Sequence, residues 1–164
     1  MLKTSAKGRL YGFGEYKEGL NYIALNYPNS PEGKQAQELI NNVLSNLEND
    51  DFENLSEGKN FKTIYQFNAQ EQELINTFKK ELAKVLEDEE VLSLKVSEDV
   101  FNKNTTFVVV HGLRSIQGAR GFAELIDIED NEILAQPSFA ISSENYRILQ
   151  IHKTLDRYLE KREN

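Results

Sequence analysis

Between residues 48 and 60 the spacing of apolar side chains changes, and that change limits what the chain can fold into. Before it, apolar residues recur every three or four positions, the period of a helix. Tyr16, Leu20, Ile23, Ala24 and Tyr27 share one face; Ala36, Leu39, Ile40, Val43, Leu44 and Leu47 form a second stripe. The turn YPNSPEG joins the two, with Ser30 suited to cap the second helix and Pro31 to its first position, where a missing N–H costs nothing. After the change, FKTIYQF sets Phe61, Thr63, Tyr65 and Phe67 on one side of a strand and Lys62, Ile64 and Gln66 on the other. This divides the chain into a helical segment (residues 1–48), an acidic, turn-rich linker (49–60) and a mixed domain (61–164).

The mixed domain reads as an ordered series of elements. Asn68, with Glu71 three residues on, forms a capping-box arrangement opening a helix whose Leu74, Ile75, Phe78, Leu82 and Val85 point inward. EDEE closes that helix with charge of the wrong sign for its C-terminus and predicts fraying there. VLSLKVS predicts a strand through Leu92, Leu94 and Val96, EDVFNKN a hairpin connection, and the β-branched run TTFVVVHG a covered strand. Ser115 is placed to cap a helix carrying Ile116, Ala119, Phe122, Ala123 and Ile126 inward, PSFAIS is the last strand, and one long helix ends the chain. Strand–helix–strand–strand–helix–strand–helix is the ferredoxin-like pattern with an added C-terminal helix. The expected class is α+β: an N-terminal helical hairpin followed by a ferredoxin-like βαββαβ domain with an extra C-terminal helix. A single hairpin cannot bury its own apolar faces, so the hairpin expects neighbours, as at the end of a longer array.

Charge narrows the function classes. Of 19 basic and 27 acidic residues, five of each lie in residues 1–48, so the remaining 14 against 22 carry the whole −8. Nucleic acid and anionic lipid surfaces both require a basic surplus, so neither is an expected partner. With no cysteine, a disulfide scaffold, a thiol nucleophile and thiolate metal sites are excluded. The two histidines and the acidic clusters ENDD and EDEE have no metal-ligand spacing, and no cofactor is expected.

FAISSENYRILQIHK carries the densest set of reactive side chains. His152 lies nine residues beyond Ser143, which along a helix is about 13 Å, too far for a nucleophile–base hydrogen bond. Ser142 and Ser143 therefore read as helix caps, with His152 on the inner face beside Ile148, Leu155 and Leu159, and no catalytic residue is expected. HGLRSIQGARG places Arg114, Ser115 and Arg120 around a strand-to-helix turn, where two guanidiniums and a helix start suit an anion. It has neither phosphate-loop spacing, and a tight turn with two solvated arginines accounts for the same residues. Phe61, Tyr65 and Phe67 occupy positions that stack bases in an RNA-recognition motif, but the third strand lacks that motif's aromatic pattern, and packing accounts for them.

GEYKEGLNYIALNYPNSPEGKQAQELI is similar to the closing hairpin of a tetratricopeptide array, with Gly-x-Tyr-x-x-Gly/Ala-Leu in its helix and Tyr-Pro-x-Ser at its turn. PSFAISSENYRILQIHKTLDRYLEK resembles the C-terminal signature of large Bacteroidota tetratricopeptide lipoproteins. Together, over nearly the whole chain, they resemble the C-terminal part of the gliding-motility and type IX secretion lipoprotein family (SprE/PorW type). The resemblance implies a non-enzymatic scaffold or adaptor whose partners are proteins of the secretion translocon. It also implies a periplasmic location, with outer-membrane anchoring through an N-terminal lipid that this chain does not carry. The family has no catalytic residues to transfer; Ser142, Ser143, Glu144, Asn145 and Tyr146 match the signature, and Asn145 and Tyr146 join the candidate partner surface. FVVVHGLRSIQGARGFAELI is also similar to one βα half of the SPOR peptidoglycan-binding domain, which makes glycan the alternative ligand. A small-molecule sensor of the ACT type shares only the strand order and a glycine-bearing turn. The glycan reading needs exposed aromatic rings on the sheet, so the positions of Tyr65 and Phe67 decide its standing.

Overall fold

The computed structural model describes residues 1–54, 58–88, 94–128 and 131–163. By internal contacts the chain forms two compact units, one of residues 1–52 with 147–164 and one of residues 53–146. The sequence division is thus shifted at both ends. Residues 49–52 of the expected linker and 147–164 of the expected sheet domain group with the N-terminal helices.

In the helical unit, α1 spans Leu2–Tyr11, α2 Phe13–Asn26 and α3 Pro31–Leu39, which continues through a π-helical turn at Ile40–Leu44 into the short α4, Ser45–Leu47. Ser30 caps α3 as its sequence predicts, its Oγ accepting from the Gly33 N–H at 3.0 Å, with Pro31 in the first turn. Leu20, Ala36 and Leu44 form the core, and Phe13, Tyr16, Ile23, Leu39 and Ile40 pack against it. Glycine sets the approach of α1 to α2, since a Cβ at Gly19 would lie 2.5 Å from Thr4 Cγ2. The rest of the unit comes from α7 (Ser143–His152), whose first turn belongs to the second unit, and from α8 (Leu155–Glu163). Phe52 is buried with its ring 5.1 Å from that of Tyr158, Lys161 donates to the Phe52 carbonyl, and Asp50 and Asp51 pair with Arg147 and Arg157. The expected single C-terminal helix is broken: Lys153 takes φ 57° and ends α7, and the Thr154 carbonyl accepts from Tyr158 N–H to begin α8.

The second unit contains β1 (Phe61–Asn68), α5 (Gln72–Asp88), β2 (Lys95–Val100), β3 (Thr105–Leu113), α6 (Ile116–Ile128) and β4 (Ser138–Ser142). Its four strands form one antiparallel sheet in the order β2-β3-β1-β4. The whole is an α+β protein. On one sheet face Tyr65, Phe67, Val108 and Val110 pack with Ile75, Phe78 and Leu82 of α5 and Phe122 and Ile126 of α6. Thr63, on the same face, satisfies its hydroxyl by donating to the Ala119 carbonyl at 2.7 Å. The opposite face carries Ile64, Phe107, Val109, Phe139 and Ile141, all buried, which is why β3 reads as a nearly continuous apolar run.

Two local expectations move. The second strand begins at Lys95, the fifth residue of VLSLKVS, and runs on through residues 98–100 of the expected hairpin connection; residues 91–93 of that expected strand, Leu92 among them, lie outside the described residues, as do the last two residues of EDEE. Asn68 makes an Asx turn, its Oδ1 accepting from Gln70 N–H at 3.0 Å, and α5 starts at Gln72 instead of being capped by Asn68.

Candidate functional site

The residues singled out in the sequence fall in three separate places. Tyr65 and Phe67 are core residues, 1% and 3% exposed, with ring centroids 4.8 Å and 5.0 Å from that of Phe78. They point at α5 and offer no ring to a ligand on the opposite face. Arg114, Ser115 and Arg120 are all exposed, and Ser115 caps α6 by accepting from Gly118 N–H at 3.0 Å. Of the nearby glycines, Gly112 is required by its φ of 100°, whereas a Cβ on Gly121 would meet nothing. Among the described residues neither guanidinium makes an ion pair. This is the geometry of a turn with two solvated arginines. Asn145 is buried and acts on the backbone: its Oδ1 accepts from Glu53 N–H at 2.8 Å and its Nδ2 donates to the Glu53 carbonyl at 3.0 Å.

Tyr146 alone leads to a cluster. Strand register sets Lys62 of β1, His111 of β3 and Lys95 of β2 in one row on the sheet face opposite α5 and α6, with Ser97 and Asp99 following Lys95 along that face of β2. From the first turn of α7, the Tyr146 hydroxyl donates to Asp99 Oδ2 at 2.6 Å, and its ring centroid lies 5.9 Å from Lys62 Nζ. Lys62 Nζ in turn donates to Ser143 Oγ at 2.5 Å. Ser97 Oγ lies 3.0 Å from Asp99 Oδ1 and 2.8 Å from His111 Nε2. Six polar side chains from three strands and a helix therefore form one site.

The hydrogens in this site can be assigned by elimination. An ionised carboxylate only accepts, so Ser97 gives its single hydrogen to Asp99 and must accept from His111, whose Nε2 carries the proton. Lys62 only donates, so Ser143 accepts from it and gives its own hydrogen to the Asn60 carbonyl at 2.5 Å. Ser143 thus ties α7 to the β1 approach instead of capping; the cap is Ser142 alone, accepting from Asn145 N–H at 3.2 Å. Burial holds the Lys62 ammonium below its usual range, with the Asp99 charge opposing the shift. Burial, and then the Lys62 charge, lower His111 as well, again against Asp99. Ser97 thus gives its hydrogen to a carboxylate and Ser143 to a backbone carbonyl. What the arrangement does is fasten the first turn of α7 across the sheet from β4 to β2.

A different feature marks the helical unit. Tyr22, Leu25 and Tyr27 are 60%, 80% and 55% exposed, and the two tyrosine rings meet edge-on with centroids 6.4 Å apart. Tyr22 and Leu25 are three residues apart on α2, so the three side chains make one apolar patch. The helical period of 15–27 had put Tyr27 on the inner face with Leu20; it falls instead just past the end of α2, and outside. Tyr22 and Leu25 were legible as residues off that inner stripe.

No family model, curated protein or solved structure matches the chain. Among the described residues no group of three His, Asp or Glu side chains is placed to hold a metal, and no helix is long and apolar enough to cross a membrane.

Proposed function

We propose that the protein is a non-enzymatic adaptor, a module acting by protein–protein contact within a cell-envelope secretion and gliding-motility apparatus of the SprE/PorW type. In this reading α2, the Tyr-Pro-x-Ser turn and α3 are a tetratricopeptide-like hairpin, and residues 61–142 a ferredoxin-like domain. The antiparallel order β2-β3-β1-β4 with helices between β1 and β2 and between β3 and β4 supports the second assignment. The capped turn after α2 supports the first. The location that goes with it is the periplasmic side of the outer membrane. The observation that carries the adaptor reading is the patch of Tyr22, Leu25 and Tyr27: three large apolar side chains side by side in water favour an apolar helix face of a protein partner. The commitment of both serine hydrogens in the polar cluster supports a non-catalytic role for that site.

The test uses the whole chain as bait on detergent-solubilised Bacteroidota envelopes, with purified peptidoglycan sedimented in parallel. Wild type is expected to enrich identified translocon proteins, and Leu25→Glu to lose them while keeping its fold by circular dichroism. Enrichment of no translocon protein, or enrichment that Leu25→Glu leaves intact, overturns the reading. Co-sedimentation with glycan would favour the SPOR-like alternative, which the inward-facing Tyr65 and Phe67 weaken.

A further inference from the structure

The sheet ends differently on its two sides. At one edge β4 is buried along nearly its whole length, whereas at the other β2 is exposed at Lys95, Val96, Glu98 and Val100. Among the described residues no strand lies beyond β2. Which backbone groups it leaves open follows from its hairpin. Phe101 N–H donates to the Thr105 carbonyl at 3.0 Å, continuing the register that runs from Lys95 opposite His111 to Val100 opposite Thr106. Hydrogen-bonded positions alternate along an antiparallel pair, so Lys95, Ser97 and Asp99 direct their N–H and C=O groups at β3. Those of Val96, Glu98 and Val100 point out of the sheet's open edge. Such an edge is a template for another strand unless its side chains oppose one.

The side chains of β2 favour one alignment with a copy of itself. Two β2 strands paired antiparallel are related by a two-fold axis normal to the sheet, which keeps each face continuous and sets odd residues against odd and even against even. An axis at Glu98 opposes the two Glu98 carboxylates, and one at Asp99 opposes the two Asp99 carboxylates. An axis at Val96 gives only residues 95–97 a partner within the strand. An axis at Ser97 pairs residues 95–99. Lys95 then faces Asp99 of the second copy, twice by symmetry, and Val96 and Glu98 exchange hydrogen bonds through the groups the edge leaves open. Both charged residues have room for this. Lys95 makes no ion pair among the described residues. Asp99 accepts from Tyr146 on one oxygen and from Ser97 on the other, and an ionised carboxylate has about four acceptor sites.

We propose that β2 pairs antiparallel with β2 of a second copy across a two-fold axis at Ser97, joining two four-stranded sheets into one. The self-complementary order of Lys95, Ser97 and Asp99 selects a second copy over an unrelated strand. None of Tyr22, Leu25 and Tyr27 takes part, so self-association is added to the adaptor reading and fails or holds separately from it.

Sedimentation equilibrium of the full chain at concentrations up to about 1 mM is expected to show a monomer–dimer equilibrium. Val96→Pro removes an N–H that β3 does not use, so it should keep its fold by circular dichroism and lose the dimer. Lys95→Glu sets like charges opposite each other twice and should weaken the dimer at least about tenfold, a difference of about 1.4 kcal/mol. The chain has no cysteine, so Ser97→Cys supplies a single thiol at the axis. Facing Cα atoms there lie about 4.5 Å apart, within disulfide range, so mild oxidation should cross-link it faster than Lys103→Cys in the exposed hairpin turn. A chain still monomeric at about 1 mM, a dimer that Lys95→Glu and Val96→Pro leave intact, or equal cross-linking of the two cysteine variants would each overturn the proposal. A dimer lost in Leu25→Glu instead would assign self-association to the α2 patch and overturn it as well. Should Val96→Pro not fold, Lys95→Glu and the cross-linking pair still decide.

Discussion

At the scale of single residues, His111 is the group whose surroundings make the clearest demand on pH. Lys62 and Lys95 flank it in register, Asp99 stands nearby on β2, and Ser97 accepts its Nε2 proton. Burial and the Lys62 charge disfavour the imidazolium more than Asp99 favours it, so the folded protein takes up this proton later than the unfolded chain does. An unfolded histidine protonates near about 6.5. As pH falls through that value the unfolded state binds the extra proton first, so the folded state loses stability on the acid side and keeps it above. Urea midpoints at about pH 7.5 and about pH 5.5, either side of the usual histidine range, should therefore differ less in His111→Asn than in wild type. Equal pH sensitivity in the two proteins would remove His111 from this role. None of Lys62, Ser97, Asp99 or His111 was legible as part of a site in the sequence. They lie on three strands, and which of them meet depends on strand register, which one sequence does not carry. Tyr146 was legible only through its place in the C-terminal signature.

At the scale of elements, legibility follows burial. Strand β3 has Thr106, Phe107, Val108, Val109 and Val110 buried in succession, and its β-branched run marked it in the sequence. Strand β2 lies at the edge of the sheet and has the polar sequence KVSEDV, so its pattern is that of a connection and its apolar neighbours drew the expected strand toward residues 91–94. The break between α7 and α8 was hidden for a different reason. Left-handed positions are normally marked by Gly or Asn, and here the residue is Lys153. Thr154 followed by Asp156 in the first turn was the available signal for a new helix start. A side chain at φ near +57° costs about 1–2 kcal/mol relative to glycine in that conformation, offset in part by glycine's greater freedom when unfolded. Lys153→Gly is therefore expected to be more stable than Lys153→Ala by about 1 kcal/mol in urea unfolding. Both substitutions remove the ammonium, so the comparison isolates the backbone; equal stabilities would mean that the turn relaxes to an ordinary helical conformation.

At the scale of the whole molecule, burial is distributed unevenly, and that distribution predicts where the native state opens. Strand β1 sits between β3 and β4 with both faces covered, and β3 sits between β1 and β2 with residues 106–110 buried. Their amides can exchange only when the sheet comes apart. Helix α1 is at the other extreme. Thr4 is its one buried residue, Leu2 is 89% exposed, Tyr11 is 51% exposed, and no side chain caps its first turn. A helix of ten residues is marginal in water without packing, so α1 depends on its contact with α2 through Gly8 and Gly19. Local fraying then exchanges its amides without any cost to the sheet. Hydrogen exchange read by NMR should show protection in residues 2–11 at least about a hundredfold below that of β1 and β3, a gap of about 2.8 kcal/mol in opening free energy. If α1 proves as protected as β3, its exposed apolar side chains must be covered in solution, and self-association through them would become the first thing to measure.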